Sequence, residues 1–132
     1  MKITNKFEKY ISSITSILTN VSENNINKTI KLINKTKKNN GKVYIVGNGG
    51  SASIASHVSV DFAKVAKVPS ATFNNSNLIT CFANDYGYEN WVSQAIKAYC
   101  QKKDMLILIS SSGTSKNIIN AANYCKNNNI SL

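Results

Sequence analysis

The sequence contains no arginine, although it carries sixteen lysines against six acidic residues, for a formal net charge of +10. Proteins that read nucleic acids use arginine for bidentate contacts, so we do not predict a nucleic-acid partner. The lysines are scattered among asparagine and isoleucine, a mixture that is typical of nucleotide bias in the coding sequence. The positive field would still attract a small phosphorylated molecule.

Long apolar runs and paired cysteines are also lacking. No stretch approaches the roughly 20 apolar residues that span a bilayer, and Met1–Lys9 lacks the apolar segment of a signal peptide. Cys81, Cys100 and Cys125 form no C-x-x-C pair, which argues against a zinc knuckle or a disulfide framework and predicts buried, reduced thiols. We therefore expect a cytoplasmic protein without a membrane partner.

The first forty residues have a helical pattern. Apolar spacings of three and four predict an amphipathic helix over 6–20, and Ser22 is a candidate N-cap for a second helix. That helix is expected to end near Asn39–Gly41. We therefore assign residues 1–40 to an N-terminal helical pair and residues 41–132 to the main domain.

From Lys42 onward, short apolar runs alternate with helical patterns. The runs predict buried strands at 43–46 and 104–109 and a second, shorter strand at 68–73, with helices over 51–65, 77–82, 89–99 and 115–127. This alternation is typical of an α/β fold with a mainly parallel sheet. Ile130–Leu132 resembles the start of another strand, so we expect the chain to be truncated at its C-terminus.

Two Gly/Ser loops, Gly47–Ser51 and Ser110–Ser115, each follow a predicted strand and open a helix. Ligands of open α/β sheets bind at the carboxyl ends of the strands. The free N–H groups and the dipole of a helix N-terminus favour an anion there, and hydroxyl groups add donors. One such loop is equally well explained as a tight turn with an N-cap, but two at one sheet edge predict an anion site.

Nucleotide-binding patterns fit these loops poorly. Gly47–Ala52 loosely matches the dinucleotide pattern G-x-G-x-x-A, which requires an acidic residue about 20 positions later. Thr72–Asn75 supplies none, and the P-loop pattern is absent. We predict no nucleotide cofactor, and a dinucleotide-binding oxidoreductase domain is the least favoured hypothesis.

Three blocks resemble the sugar isomerase (SIS) domain family in their order and spacing: Gly47–Ser51, Asn84–Glu89 and Ile109–Ser115. The matching branch is the phosphoheptose isomerases, which convert sedoheptulose 7-phosphate to a heptose 7-phosphate. The resemblance implies a three-layer α/β/α sandwich of the flavodoxin-like kind. It also implies a homo-oligomer, a tetramer or dimer, with the N-terminal helices at the subunit interface.

The resemblance assigns roles to residues in these blocks. The second loop would hold the phosphate of a phosphorylated sugar, and the first loop and the second block would contact the sugar. The implied substrate-binding residues are Asn48, Gly49, Gly50, Ser51, Asn84, Asp85, Ser110, Ser111, Ser112 and Ser115.

His57 and Asp61 lie four residues apart on the helix after the first loop, so they share one face. In the isomerase branch these positions hold a His and a Glu that ligate zinc, and the Glu is the base. The resemblance therefore implies metal ligation by His57 and Asp61 and catalysis by Asp61, whose side chain is one methylene shorter. The remaining zinc ligands, a Gln and a His, would lie beyond Leu132, so we expect this fragment to be inactive and to bind zinc weakly.

The residues alone also allow simpler interpretations. A lone His is more often a surface residue than a ligand, and Asp61 can equally pair with Lys64 or Lys67. Asp104, at the start of a predicted strand, is expected to cap a turn.

Two hypotheses on function follow from the resemblance. The first is an aldose–ketose isomerase, which the presence of His57 favours. The second is a non-catalytic SIS module that binds a sugar phosphate or a protein partner, such as the bacterial replication initiator, which Asp61 in place of Glu favours.

Overall fold

The computed structural model of the protein describes residues 3–132. The chain divides into two compact units, with the division between Lys31 and Leu32. This point lies within the second helix and precedes the boundary at residue 40 that the sequence pattern indicates. The reason is that Leu32 and Ile33 pack against the buried cluster of the second unit.

The first unit is helical. Helix α1 spans Ile3–Thr19, and helix α2 begins at Glu23 and continues to Lys38 in the second unit. The hydroxyl oxygen of Ser22 accepts a hydrogen bond from the backbone N–H of Asn25 at 3.3 Å, as expected of an N-cap. No described residue of α1 is buried, and its large apolar side chains are exposed. An apolar stripe of this kind is typical of a helix that packs against another element.

The second unit alternates strands and helices. Its elements are β1 (Val43–Gly47), α3 (Gly50–Lys64), β2 (Ser70–Thr72), α4 (Ser76–Tyr86), α5 (Trp91–Tyr99), β3 (Met105–Ile109) and α6 (Lys116–Asn127). The three strands are parallel, in the order β2-β1-β3. The predicted α/β fold with a parallel sheet is therefore confirmed.

Strand β2 and helix α4 differ most from their predicted lengths. Strand β2 is shorter than 68–73, because Pro69 has no N–H to contribute and serves only as an acceptor for the N–H of Val43, at 2.8 Å. Helix α4 is longer than 77–82. It begins after Asn75, whose side chain accepts from the N–H of Asn77, and continues to Tyr86.

The start of a further strand is present at the predicted place. Ser131 forms an isolated parallel bridge with Met105, and its carbonyl accepts a hydrogen bond from the N–H of Leu106 at 2.8 Å. The bridge lies at the edge of β3 that β1 does not occupy.

The core lies on both faces of the sheet. All five residues of β1 are buried, which is why that strand reads as an unbroken apolar run. One face of the sheet packs against α5 and α6 through residues such as Val46, Trp91 and Leu106, and the other packs against α3 through Ile45 and Ala55. Burying each large apolar side chain contributes about 1.5–3 kcal/mol.

The three cysteines are free and differ in exposure. Cys125 is buried and Cys100 is half-buried, but Cys81 is exposed. The prediction of buried thiols is therefore wrong for Cys81, which lies on the outward side of α4. Within residues 3–132, no helix has both the length and the apolar composition that crossing a membrane requires.

Candidate functional site

The two Gly/Ser loops begin at the same edge of the sheet, directly after two neighbouring strands. Gly47, at the end of β1, is the register partner of Ile109, at the end of β3, and these strands are neighbours. Loop 1 (residues 47–51) and loop 2 (residues 110–115) therefore start side by side at the carboxyl edge of the sheet. Ligands of parallel α/β sheets bind at this edge.

Loop 1 requires glycine at two positions. A Cβ on Gly47 would lie 2.6 Å from the Cβ of Ser51, so β1 and the start of α3 approach too closely for a side chain. Gly49 has φ 54° and ψ −122°, a conformation that side chains disfavour. The carbonyl of Asn48 accepts from the N–H of Ser51 at 2.9 Å and closes the turn.

Asn74 fastens loop 1 to the end of β2. Its side-chain oxygen accepts from the N–H of Gly47 at 3.2 Å, and its side-chain nitrogen donates to the Gly47 carbonyl at 2.7 Å. The Asn74 oxygen also accepts from the hydroxyl of Thr72 at 3.1 Å. Sequence reasoning missed this residue, although a polar amide directly after a predicted strand was a usable indication.

Loop 2 is folded around its own hydroxyl groups. The hydroxyl of Ser110 accepts from the N–H of Gly113 at 3.1 Å, and that of Ser112 accepts from the N–H of Thr114 at 3.2 Å. Ser115 is the N-cap residue of α6, but its hydroxyl caps no helical N–H. The first N–H groups of α6 have no partner within the helix, so they are suited to bind an anion.

Side chains from three segments meet at Asn48. The amides of Asn48 and Asn117 form a reciprocal pair: Asn48 Nδ2 donates to Asn117 Oδ1 at 2.9 Å, and Asn117 Nδ2 donates to Asn48 Oδ1 at 2.8 Å. The hydroxyl of Tyr88 donates to Asn48 Oδ1 at 3.3 Å. Asn117 belongs to the first turn of α6, so this junction joins loop 1 to the helix that follows loop 2.

A cavity of about 310 Å³ lies at this junction, a size suited to a small molecule. It is lined by Asn48, Tyr88, Glu89, Ser115, Lys116 and Asn117. Sequence reasoning missed Asn117 and Glu89 as site residues. Asn117 could have been found because it precedes Ala121 by four residues and Cys125 by eight, which places an amide on the buried face of α6.

The other predicted substrate-binding residues lie outside the cavity lining. Asn84 and Asp85 are exposed near the end of α4, where the amide of Asn84 donates to the Asp85 carboxylate at 2.9 Å. Tyr88 and Glu89, from the same block of sequence, line the cavity instead. The remaining predicted residues, Gly49, Gly50, Ser51, Ser110, Ser111 and Ser112, belong to the two loops.

His57 and Asp61 lie on the outward side of α3. Nε2 of His57 is 3.3 Å from Oδ2 of Asp61, and the two side chains are 79% and 51% exposed. This pairing replaces the alternatives with Lys64 and Lys67. His57 is seven residues into the helix, about 10 Å along its axis from loop 1. Neither side chain lines the cavity.

The His57–Asp61 pair has the right chemistry for zinc but too few donors. An imidazole nitrogen and a carboxylate oxygen are both zinc ligands, and zinc sites use three or four protein ligands. Among residues 3–132, no group of three or more His, Cys, Asp or Glu side chains could hold a metal ion. The described residues therefore do not form a zinc site by themselves.

A second cavity, of about 200 Å³, lies at the opposite edge of the sheet. Asp104 lines it, and both carboxylate oxygens accept backbone hydrogen bonds at 2.8 Å, from the N–H groups of Lys42 and Gln101. This is the predicted turn-capping role, and it leaves Asp104 engaged in holding the entry to β1 and β3 together.

The sequence profile of the SIS domain matches residues 7–132. The chain belongs to the SIS domain family. The profile covers loop 1, the Tyr88–Glu89 segment and loop 2, so all parts of the junction at Asn48 belong to the SIS domain.

Relatives of this SIS domain are named phosphoheptose isomerases. Phosphoheptose isomerase 2 of Campylobacter jejuni is 38% identical over 104 residues, which are 73% of this chain and 51% of that protein. The phosphoheptose isomerase of Helicobacter pylori strain 26695 is 38% identical over 107 residues, 76% of this chain and 56% of the relative. The chain thus spans about half the length of the curated relatives it matches.

Solved structures give the same result. The phosphoheptose isomerase of Neisseria gonorrhoeae superimposes with a TM-score of 0.84 at 25% identity, over 96% of this chain and 68% of the other. That of Francisella tularensis superimposes with a TM-score of 0.85 at 25% identity, over 98% and 72% of the two chains. The fold of this SIS domain is therefore that of a phosphoheptose isomerase.

Proposed function

We propose that this SIS domain binds a phosphorylated sugar and belongs to an aldose–ketose isomerase of the sedoheptulose 7-phosphate type, which serves heptose biosynthesis. The observation that carries the proposal is the meeting of Asn48, Tyr88 and Asn117 at one cavity between the two loops. The names of the relatives support the substrate class.

Loop 2 is the proposed phosphate-binding element, through Ser110, Ser111, Ser112 and Ser115. The free N–H groups of α6 and the helix dipole favour a phosphate at this position. Lys116 lines the cavity at the start of the helix and adds a positive charge. Glu89 lines the same cavity and would repel a phosphate dianion, so it is assigned to the side of the sugar hydroxyls.

The sugar would lie against loop 1 and the segment Asn84–Glu89. Asn48 has a polar amide in the cavity lining, and Gly49 and Gly50 leave open space where a side chain would be. Ser51, Asn84 and Asp85 complete the proposed set.

Asp61 is the proposed base for proton transfer between C1 and C2. In the ketose-to-aldose direction it removes a proton from C1, the electron pair forms the C1=C2 bond, and O2 takes up a proton to give an enediol. Asp61 then delivers the proton that it took from C1 to C2, and loss of the proton on O1 yields the aldose. A general base needs hydrogen-bond reach to its proton, about 2.6–3.2 Å. Asp61, with its short side chain, therefore requires the sugar carbons to lie close to α3.

Zinc enters the proposal through His57 and Asp61. They provide two donors of the kinds that zinc takes, and the ion would polarise a carbonyl oxygen when bound. At least one further ligand is required from outside residues 3–132.

A homo-oligomer, a tetramer or dimer, is proposed as the assembly. Phe7, Tyr10 and Ile14 form part of an exposed apolar stripe on α1, which a second copy of the chain would cover. Ile54 and Val60 are exposed on the outward side of α3, where His57 and Asp61 also lie. Covering this side would reduce the exposure of the proposed base. The free cysteines fit a reducing cytoplasm.

The non-catalytic SIS module is the second candidate, and one observation favours it. The two side chains assigned to chemistry are more than half exposed and lie outside the cavity lining. A module that binds a sugar phosphate or a protein partner needs the loops but not this pair.

Calorimetry with sedoheptulose 7-phosphate tests the binding proposal. We expect binding by the wild-type chain and a loss of about tenfold or more when Ser110 and Ser112 are both changed to Ala. Ser53→Ala, on the exposed side of α3, is the control and should leave affinity unchanged. No binding by the wild-type chain would exclude the proposal.

Aldose formation separates the two candidates. The assay needs added zinc and protein that also carries the further zinc ligand, because the described residues do not complete a zinc site. Under these conditions an isomerase forms the aldose from sedoheptulose 7-phosphate and loses this activity with Asp61→Asn, whose amide cannot take up a proton. Binding of the sugar without any aldose formed would favour the module.

A further inference from the structure

Asn117 is a buried amide on the apolar side of α6. It is 3% exposed, and Ala121 and Cys125, four and eight residues later on the same face, are fully buried. Burying a polar side chain is unfavourable unless its hydrogen bonds are satisfied. Asn117 satisfies both its oxygen and its nitrogen on a single partner, the amide of Asn48. An apolar residue could fill this buried position. It is instead occupied by the Asn117 amide, which bonds to Asn48 of loop 1.

Asn48, the partner of Asn117, accepts hydrogen bonds from side chains in two different parts of the chain. Tyr88 donates to Asn48 from the segment between α4 and α5, while Asn117 bonds it from α6. Two partners on different elements fix the plane of the Asn48 amide. The Asn48–Asn117 pair is reciprocal, so its two hydrogen bonds persist when both amide groups flip together.

We infer that Asn117 is a positioning residue for sugar recognition: it sets the Asn48 amide toward the cavity and couples loop 1 to the helix that follows loop 2. This inference rests on the proposed function, in which Asn48 contacts the sugar and loop 2 holds the phosphate. Asn117 acts through Asn48, because it is only 3% exposed at the cavity wall and both of its polar side-chain atoms are bonded to Asn48.

This role has a selective consequence. Loss of Asn117 leaves the hydroxyl groups of loop 2 and the N–H groups of α6 in place, because the loop 2 hydrogen bonds do not involve the Asn117 side chain. The contact with the sugar is impaired, while the contact with the phosphate is kept. The affinity for sugar phosphate, relative to that for inorganic phosphate, should therefore fall when the Asn117 side chain is lost.

The test compares Asn117→Leu with Cys125→Ser by calorimetry. Leu is close to Asn in size and cannot form hydrogen bonds. Cys125→Ser disturbs the same face of α6 two turns away, about 12 Å along the axis, without touching either loop. For Asn117→Leu we expect affinity for sedoheptulose 7-phosphate to fall about tenfold or more, with affinity for inorganic phosphate changed less than about twofold. Cys125→Ser should change neither affinity.

Asn117→Asp provides a second variant that keeps the shape and the acceptor oxygen but loses the donor. It should weaken sugar phosphate binding in the same direction, and the side-chain NH₂ resonances of Asn48 should shift and broaden in ¹⁵N-resolved spectra, as in Asn117→Leu. Unchanged sugar phosphate affinity in both variants would overturn the inference. So would an equal loss for inorganic phosphate in Asn117→Leu, which adds no charge, and this result would mean that Asn117 supports loop 2.

Failure of the inference and failure of the proposed function are distinguishable. If the wild-type chain binds neither ligand, the proposed function is wrong. If the wild-type chain binds the sugar phosphate and both Asn117 variants bind it equally well, only the role of Asn117 is wrong.

Discussion

Nε2 of His57 lies 3.3 Å from Oδ2 of Asp61, one turn further along α3, and this is the single contact between a basic and an acidic side chain found within residues 3–132. The two side chains therefore contact each other at a helix surface that they share with the exposed apolar residues Ile54 and Val60. A metal ion that bound here would take one donor from each side chain and displace their mutual contact.

We expect zinc to bind the chain weakly and at this pair. His57→Ala should lower zinc affinity at least about tenfold, because it removes one of only two protein donors. The measurement is competition with a chromophoric chelator. Asp85→Ala removes an exposed carboxylate elsewhere and should leave zinc affinity unchanged. Equal zinc affinity in the wild type and His57→Ala would place the metal at another position.

Gly47→Ala is expected to destabilise the fold by about 1–3 kcal/mol or more. The added Cβ would lie 2.7 Å from the backbone carbonyl oxygen of Ser51, and a backbone atom cannot move aside cheaply. Gly50→Ala is the matched control, since its Cβ would meet nothing within 4 Å and α3 begins there. It should be neutral or stabilise by up to about 1 kcal/mol. Urea unfolding measures both, and equal stability of the two variants would contradict the tight approach at Gly47.

Asp104→Ala should lower the free energy of unfolding by about 2–4 kcal/mol. The substitution removes the buried carboxylate that accepts from the part-buried backbone N–H groups of Lys42 and Gln101, and each of these two hydrogen bonds contributes about 1–2 kcal/mol. Asp61→Ala removes a carboxylate that contacts only a side chain, and its effect should stay within about 0.5 kcal/mol. Similar losses for the two variants in urea unfolding would refute the proposed capping role.

The three thiols should react at different rates with a disulfide reagent at pH 8. Cys81 is exposed. Burial raises the pKa of Cys100 to about 12, with a further contribution from the Asp104 carboxylate, and burial raises the pKa of Cys125 to about 11. Because the thiolate is the reactive form, we expect one fast and two slow thiols in the native protein. Cys81→Ser should remove the fast phase, and its persistence in that variant would disprove the assignment.

Stability should decline in alkaline solution. Burial also raises the pKa of Tyr44, to about 12, from an ordinary value of 10.0, and the two thiols are raised from 9.0. The unfolded chain therefore loses these protons first as pH rises, so the stability is fully present below about pH 9 and is lost progressively toward pH 12. Urea unfolding at pH 8 and at pH 10.5 measures this loss, which Cys100→Ala should reduce. A flat profile would show that these groups ionise equally in both states.

The strands and loops were predictable because their causes are local. An apolar run such as Val43–Val46 is buried on both faces and so reads as a strand, and the glycines of loop 1 mark a turn that other residues cannot make. The Asn48–Asn117 pair was not predictable, because its partners are 69 residues apart and meet only when β1 and β3 are neighbours. The exposure of Cys81 likewise depends on which side of α4 faces the core.

The central place of β1 in the sheet has a consequence for how the chain folds. One edge of β1 pairs with β2, and the other pairs with β3, which comes much later in the sequence. The hydrogen bond between the N–H of Lys42 and the carboxylate of Asp104 joins residues that are 62 positions apart. Loop closure over such a distance must occur before the buried strand is complete, which slows folding relative to helical proteins of this size. During synthesis on the ribosome, the most buried strand therefore emerges long before its second partner, and the chain depends on the late synthesis of β3 to cover it.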